Sequence, residues 1–213
     1  RLRDALGRVT ASGGRTYRWN LAGNLLSYSG PDGEASFTYD AFGQRLTRSG
    51  LATVWNYATT LPSPAIFRNA ATDADLTYNL FLPDGTLIAS IDATSGARRF
   101  YHFDESGNTL LLTGSDGAVT DTFAISPFGE SISRTGSTPT PFTFHGLYGL
   151  MEEPAAGLFY ARARYYDANS ARFLSKDPIS SLDPRLLNPY QFAFGNPLRY
   201  ADPTGLSPDD ADE

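Results

Sequence analysis

Residues Tyr17–Gly30 have the sequence YRWNLAGNLLSYSG, in which two short runs flank a turn signal. An alternating aromatic and polar run leads into Asn20, two residues separate Asn20 from Gly23, and a second alternating run follows. An Asx side chain caps a tight turn by accepting backbone N–H groups, and a glycine adopts the positive φ that closes the turn. The stretch therefore predicts a β-hairpin with its turn at Asn20–Gly23.

The same motif recurs along residues 1–135. It occurs at Asp4–Gly7, Asn20–Gly23, Asp40–Gly43 and Asp104–Gly107, with a variant at Ser126–Gly129. Further turn signals such as Pro31-Asp32-Gly33 link one hairpin to the next. Because a lone hairpin cannot bury a face, we expect these units to stack into a continuous antiparallel sheet. Residues Thr59–Asp73 lack the motif and are predicted to form a longer loop.

The pattern changes after Thr135. Residues 136–141, GSTPTP, are typical of a linker, and the region beyond them is crowded with Tyr, Phe, Arg, Asn and Pro. We predict a strand at Phe142–Gly146 and one continuous strand at Gly157–Asp167. The aromatic segment Arg164–Leu206 is predicted to pack as a plug, whereas the acidic residues 207–213 are expected to be disordered.

The composition excludes several classes of function. The 213 residues carry a net charge of −6 and have a pI near 4.9, which argues against a nucleic-acid-binding surface. The absence of cysteine excludes disulfides, thiol catalysis and cysteine-based zinc sites. His102 and His145 lie too far apart for a local metal motif, and no apolar run is long enough to span a membrane. We therefore expect no metal, cofactor, nucleic-acid partner or membrane span, with His145 a hydrogen-bonded core residue and His102 an ordinary strand residue.

The C-terminal part resembles a known family. Residues 146–180, GLYGLMEEPAAGLFYARARYYDANSARFLSKDPIS, and residues 188–206, NPYQFAFGNPLRYADPTGL, resemble the Rhs repeat-associated core domain. The hairpins resemble YD repeats, named for a Tyr-Asp pair found here at Tyr39-Asp40. The family includes bacterial Rhs toxins, the C component of toxin complexes and teneurins. The resemblance implies an all-β fold, in which a spiralling antiparallel sheet of YD-repeat hairpins forms part of a shell and the C-terminal core curls inward as a plug.

The resemblance also implies a division of the chain and its partners. Residues 1–135 would be the YD-repeat sheet, 136–206 the core domain, and 207–213 a remnant of a variable C-terminal segment. The expected partners are the rest of the shell and a C-terminal toxin segment, with self-association possible through open sheet edges. The first residues, RLRDALGRVT, do not resemble a signal peptide and begin within the repeat pattern, so we expect a piece of a longer protein that is secreted, displayed or delivered by a bacterium.

In the toxin members the core is an aspartic protease that cuts its own chain after a DPxGL motif. By motif, the resemblance places the catalytic pair at Asp177 in SKDP and Asp202 in ADPTGL, and the cut between Leu206 and Ser207. Two carboxylates held close together share a proton, so that one serves as base and the other as acid. Three nearby cations could keep one carboxylate ionised, namely Lys176, Arg172 and Arg199. A third aspartate, Asp183, is a competing partner for the pair.

Other interpretations remain open. An aspartate before proline commonly starts a turn and caps backbone N–H groups, so Asp177 and Asp202 could be structural. The chain would then be a non-cleaving module that closes a cage or presents a cell-surface binding face. A carbohydrate-binding β-module is a third possibility, and it rests only on exposed aromatic residues.

Overall fold

A computed structural model describes residues 1–154, 157–179 and 188–206, together with the backbone of 209–210. Fourteen strands form one antiparallel sheet in which each strand pairs with its neighbours along the chain. They are β1 Leu2–Arg3, β2 Val9–Ser12, β3 Arg15–Trp19, β4 Leu25–Gly30, β5 Gly33–Tyr39, β6 Arg45–Arg48, β7 Leu51–Asn56, β8 Ser63–Asn69, β9 Asp75–Phe81, β10 Leu87–Asp92, β11 Arg98–Phe103, β12 Thr109–Thr113, β13 Val119–Ile125 and β14 Ser131–Thr135.

The predicted hairpin turns are confirmed. At the third repeat the Asp40 carboxylate accepts hydrogen bonds from the amides of Phe42 and Gln44, both at 2.9 Å, and Gly43 adopts a φ of 83°. The Asn20 side chain accepts from the amide of Asn24 at 2.8 Å in the same way. The motif thus reverses the chain through contacts within a few residues. This explains why neighbouring strands of the sheet are also consecutive in the sequence.

One face of the sheet carries the core. Alternate residues of successive strands, among them Tyr17, Leu25, Phe37 and Leu112, are buried there. They pack against residues from the C-terminal region, namely Phe142, Met151, Leu158, Tyr160, Tyr165 and Leu174. Burial of a side chain of this size stabilises a fold by roughly 1.5–3 kcal/mol. The C-terminal region therefore covers the sheet as the predicted plug.

The C-terminal region has its own small sheets. Strands β15 Met151–Glu152, β16 Leu158–Ala161, β17 Arg164–Asp167 and β18 Arg172–Phe173 form a four-stranded antiparallel sheet. A second aromatic cluster, which includes Phe144, Phe159, Tyr166, Phe173 and Phe192, packs with it. Strands β19 Tyr200–Ala201 and β20 Asp209–Asp210 pair with each other. Short 3₁₀ turns lie at Gly146–Tyr148, Ala168–Ser170 and Ala193–Gly195.

The all-β fold class is confirmed, but four local predictions are wrong. Strand β8 occupies part of the predicted loop at 59–73; its Pro64 sits where the register with β7 shifts, a position that tolerates proline. Residues 142–146 form a turn that begins a 3₁₀ segment and no strand. The single strand predicted at 157–167 is the β16–β17 hairpin, because Arg162 adopts a φ of 53°. Residues 209–210, expected to be disordered, form β20.

The predicted residues Asp183 and Ser207 lie outside the described part of the chain. Within that part, no helix is long and apolar enough to cross a membrane.

Candidate catalytic site

The two predicted aspartates meet at one arginine. The Nη2 atom of Arg164 lies 3.0 Å from Oδ2 of Asp177 and 3.1 Å from Oδ2 of Asp202. Among the described contacts no hydrogen bond joins the two carboxylates directly, so Arg164 links them. The side chain of Asp202 is fully buried, whereas that of Asp177 is 14% exposed. The site therefore has one carboxylate in the interior and one that reaches solvent.

Arg164 is held in place on several sides. It is the first residue of β17, and its guanidinium carbon lies 3.6 Å from the centre of the Phe173 ring. Its Nη1 donates to the carbonyl of Pro189 at 3.3 Å, and the same carbonyl accepts from the amide of Asp177 at 2.8 Å. A fork of donors in a fixed plane suits this arrangement, which a lysine could not reproduce.

The motif after Asp202 folds back onto that side chain. Oδ1 of Asp202 accepts hydrogen bonds from the Leu206 amide at 3.0 Å and from the Thr204 hydroxyl at 3.3 Å. The Leu206 amide also lies 3.1 Å from the Thr204 hydroxyl. Asp202 is thus an Asx-type cap of its own DPTGL segment as well as an ion-pair partner. The catalytic and the structural interpretations of this residue share one geometry.

Three successive carbonyl groups of the DPTGL segment bind the turn of the β16–β17 hairpin. Pro203 accepts from the Arg162 guanidinium at 2.5 Å, Thr204 accepts from the Ala163 amide at 3.1 Å, and Gly205 accepts from Nε of Arg164. A β-carbon on Gly205 would lie 2.3 Å from the Ala161 carbonyl oxygen. Only glycine fits this approach, and its φ of 70° favours glycine as well.

Burial shifts the pKa values of Asp202 and Arg164. Desolvation raises the pKa of Asp202, although Arg164 and the Leu206 amide act in the opposite direction and Asp177 adds to the rise. Desolvation also lowers the pKa of Arg164, and the two aspartates oppose that shift. Asp202 therefore binds a proton more readily than an exposed aspartate does.

A cavity of about 330 Å³ opens beside Asp177 and Arg164. Its walls come from the turns of the first two repeats, including Leu6 and Leu21, and from the backbone segment that carries Lys176. A cavity of this size has room for water molecules next to the more exposed carboxylate.

The cations predicted from sequence do not hold the aspartates. Lys176 is exposed, and its aliphatic chain lies against Gly7. Arg172 is exposed on β18, and the Arg199 guanidinium lies over the Tyr200 ring at 5.3 Å. The cation that contacts both aspartates is Arg164, which was predicted only to lie in the strand at 157–167 and in the plug segment. The sequence feature that indicates Arg164 is its place within a run of aromatic residues predicted to be buried. A buried arginine needs a charged partner.

A second buried ion pair fastens the C-terminal region to the sheet. Arg45 of β6 and Glu153, both almost fully buried, form a salt bridge, and Arg45 also donates to the Tyr165 hydroxyl at 3.2 Å. The Tyr165 hydroxyl lies 3.0 Å from that of Tyr39. The aspartates of the candidate site are not part of this cluster.

The two histidines have ordinary surroundings. His102 is exposed on β11, where it pairs with the Thr113 hydroxyl at 3.0 Å. His145 is fully buried beside the Phe144 ring, as predicted for a core residue. Neither ring nitrogen makes a hydrogen bond of normal geometry within the described residues, although an interaction with the Ser106 backbone acts to raise its pKa. Burial lowers the pKa of His145 to about 4. No cluster of three His, Cys, Asp or Glu suitable for a metal occurs in the described ranges.

A long meander of YD-type hairpins covered by a C-terminal core defines a shell-type β-protein. The family model described as Teneurin YD-shell matches residues 3–198. The chain therefore belongs to the YD-shell family, and the resemblance drawn from the sequence is confirmed.

Known relatives share this region. The chain is 27% identical over 207 residues to the tRNA3(Ser)-specific nuclease WapA of Bacillus spizizenii. That alignment covers 95% of this chain and 9% of the relative. It is 43% identical over 61 residues to the toxin subunit YenC2 of Yersinia entomophaga, covering 29% of this chain and 6% of the relative. A Photorhabdus luminescens Tc holotoxin pore superposes with a TM-score of 0.74 at 19% identity, over 98% of this chain and 11% of that chain. The last match shows the fold alone.

Proposed function

We propose that residues 136–206 form a core that cuts its own chain between Leu206 and Ser207, with Asp177 and Asp202 as the catalytic pair. The observation that carries the proposal is that one nitrogen of Arg164 contacts both carboxylates while the amide of Leu206 binds one of them. The residue that precedes the bond is thereby tied to the pair. Proximity of this kind supports a single turnover within one chain.

The two aspartates have different roles in the proposed reaction. Asp177, beside the cavity, is the ionised base that takes a proton from a water molecule as the water oxygen attacks the Leu206 carbonyl carbon. The bond to Ser207 then breaks, and its nitrogen takes a proton from Asp202, whose pKa is raised by burial. The products are a carboxyl group on Leu206 and an amino group on Ser207, and one water molecule is consumed.

Arg164 has a positioning role in this scheme. Its guanidinium forms an ion pair with Asp177, and its contacts to Pro189 and Gly205 fix the distance between the base and the substrate segment. Because both carboxylates share one cation, their protonation is coupled and the pH dependence belongs to the pair.

The family context extends the proposal beyond the site. We assign residues 1–135 to the shell sheet and 207–213 to the segment released by the cut. The chain spans 9% of the length of the WapA relative, and matching proteins include a toxin subunit. This supports a role as part of a bacterial toxin shell, secreted or delivered, that encloses a C-terminal segment after cleavage.

The mass of the freshly made chain tests the proposal. Cleavage gives a species that ends at Leu206, and Asp177→Asn or Asp202→Asn each abolish it. Asp121→Asn is the matched control, because Asp121 is also buried and ion-paired but contacts Arg134 and Thr138 instead. A full-length mass over days at mildly acidic and neutral pH overturns the proposal. Acid hydrolysis of Asp-Pro bonds is a separate reaction, and it is recognised by fragments whose last residue is Asp177, Asp183 or Asp202.

A non-cleaving structural module is the second candidate. The observation that favours it is the pair of salt bridges itself, since the Arg164 guanidinium can hold the two carboxylates together without any proton shared between them. This candidate predicts that the two Asp→Asn variants lose stability while the mass of every chain stays full-length.

A further inference from the structure

We propose that strand β20 fixes the register of the Leu206–Ser207 bond by main-chain pairing on its downstream side; this rests on the proposed self-cleavage. Tyr200 pairs with Asp210 and Ala201 with Asp209 in antiparallel fashion. Ala201 directly precedes Asp202, and Asp209 is the third residue after Leu206. The two strands therefore flank the proposed cut, one on each side.

The upstream strand of this pair, β19, is a fixed support. Ala201 is buried, and the Tyr200 ring packs edge-on against the Phe194 ring at 5.1 Å. The amide of Tyr200 donates to the Asn196 carbonyl at 3.0 Å. A downstream segment that pairs with β19 is therefore held at a fixed position relative to Asp202.

The Tyr200 amide determines which residues exchange hydrogen bonds. In an antiparallel pair, hydrogen-bonded and non-hydrogen-bonded partners alternate. Because the Tyr200 amide already binds Asn196, we assign Ala201 and Asp209 as the hydrogen-bonded partners. The amide of Asp209 then points toward β19, and the amide of Asp210 points away from it.

Recognition on both sides of the bond uses main-chain atoms. Upstream, the carbonyls of Pro203, Thr204 and Gly205 bind the β16–β17 turn. Downstream, pairing with β19 needs an N–H group at position 209 and no particular side chain, as in other cases of strand addition. This main-chain part of the recognition depends on the N–H group of residue 209, which a proline lacks.

Three variants of the full chain separate the main-chain requirement from side-chain effects. Asp209→Pro removes the N–H that faces β19 and should slow formation of the species ending at Leu206 by between about threefold and tenfold. Asp209→Ala keeps that N–H, and Asp210→Pro removes one that points away, so each should slow the reaction less than Asp209→Pro does. Hydrogen exchange of the uncut Asp177→Asn chain should show the Asp209 amide protected and the Asp210 amide unprotected.

The outcomes distinguish this inference from the proposed function. If the wild-type chain cuts and Asp209→Pro cuts equally fast, the register role is wrong and the self-cleavage stands. If Asp210→Pro or Asp209→Ala slows the reaction as much as Asp209→Pro, or the Asp209 amide exchanges freely, the assigned pairing is wrong. If no wild-type chain is cut, the proposed function and the register role fall together.

Discussion

The amide of Leu206 donates a hydrogen bond of 3.0 Å to the buried carboxylate of Asp202, four residues earlier in the chain. Local chain geometry thus brings the residue before the proposed cut onto one member of the aspartate pair. The other member, Asp177, reaches the same place only through the fold, by way of Arg164. Seating of the DPTGL segment and assembly of the core are therefore separate requirements, which variants can test separately.

Gly205→Ala tests the seating of the DPTGL segment. An added β-carbon would lie 2.3 Å from the Ala161 carbonyl oxygen, so the segment must shift and cleavage should be lost. Gly23→Ala is the control, because Gly23 also has a positive φ but nothing lies within 4 Å of a β-carbon there. That control should cost only about 1–2 kcal/mol from the backbone conformation and should still cut. Intact mass and thermal unfolding measure both effects, and normal cleavage by Gly205→Ala would contradict the seating described here.

Arg164→Met tests which cation organises the site. Removal of the buried guanidinium leaves two neighbouring carboxylates without a cation, so the free energy of unfolding should fall by about 3–5 kcal/mol and cleavage should stop. Arg172→Met removes an exposed arginine, and its effect on stability should stay within about 0.5 kcal/mol. Arg164→Lys should keep part of the stability but not the cleavage, because lysine lacks the fork of donors. Denaturant unfolding with mass analysis checks this, and equal effects of the Arg164 and Arg172 variants would contradict it.

The Arg45–Glu153 pair should behave as a buried clasp between the sheet and the C-terminal region. Glu153→Gln alone should destabilise the fold by about 3–5 kcal/mol, since it leaves the buried Arg45 charge without its carboxylate. Arg45→Met should cost less, because Arg48 still lies 3.6 Å from the Glu153 carboxylate. The double variant Arg45→Met with Glu153→Met should recover much of this loss. A double-mutant cycle measured by urea unfolding gives the coupling, and additive single effects would show that the two charges act independently.

His145 should make stability depend on pH in a defined direction. Its pKa falls from 6.5 to about 4 on folding because of burial, so the unfolded chain binds a proton that the folded chain resists. Stability from this group is therefore complete above pH 6.5 and is lost as the pH falls toward 4, by about 3 kcal/mol in total. His145→Phe should remove that part of the decline, as shown by urea unfolding at pH 7 and pH 5. Identical declines in the variant and the wild type would contradict the assignment.

The edge strand β14 should mediate self-association. All five of its residues are exposed, and Ile132 is 69% exposed beside the unpaired backbone of the edge. Exposed edges of this kind pair with other chains unless a charge blocks them. Light scattering at rising concentration should show dimers for the wild type and fewer for Ile132→Lys. A strict monomer at high concentration would count against this role.

Local turn chemistry made most of the fold predictable. The caps at Asp40 and Asn20 and the positive φ of Gly43 involve residues within one turn, so the sequence alone indicates them. The turn of the β16–β17 hairpin was missed because it contains no Gly, Asn or Asp. Arg162 instead takes a positive φ while its guanidinium binds the carbonyls of Pro62, Tyr148 and Pro203, contacts that exist only in the folded chain.

The candidate site was predictable only in part for the same reason. The family motifs indicated Asp177 and Asp202, but the cation between them comes from a distant strand. Proximity in sequence favoured Lys176, which is exposed, whereas burial against Phe173 selects Arg164. Which charges meet in the interior depends on tertiary packing, and this is not encoded in local spacing.

The most direct test of the central claim is the mass of the purified wild-type chain followed over days, beside the Asp177→Asn, Asp202→Asn and Asp121→Asn variants. We expect a species that ends at Leu206, together with the peptide of residues 207–213, in the wild type and in Asp121→Asn. We expect only full-length chains in the other two variants. A wild-type chain that keeps its full-length mass, or cleavage that continues without either aspartate, would show that the core does not cut its own chain with this pair.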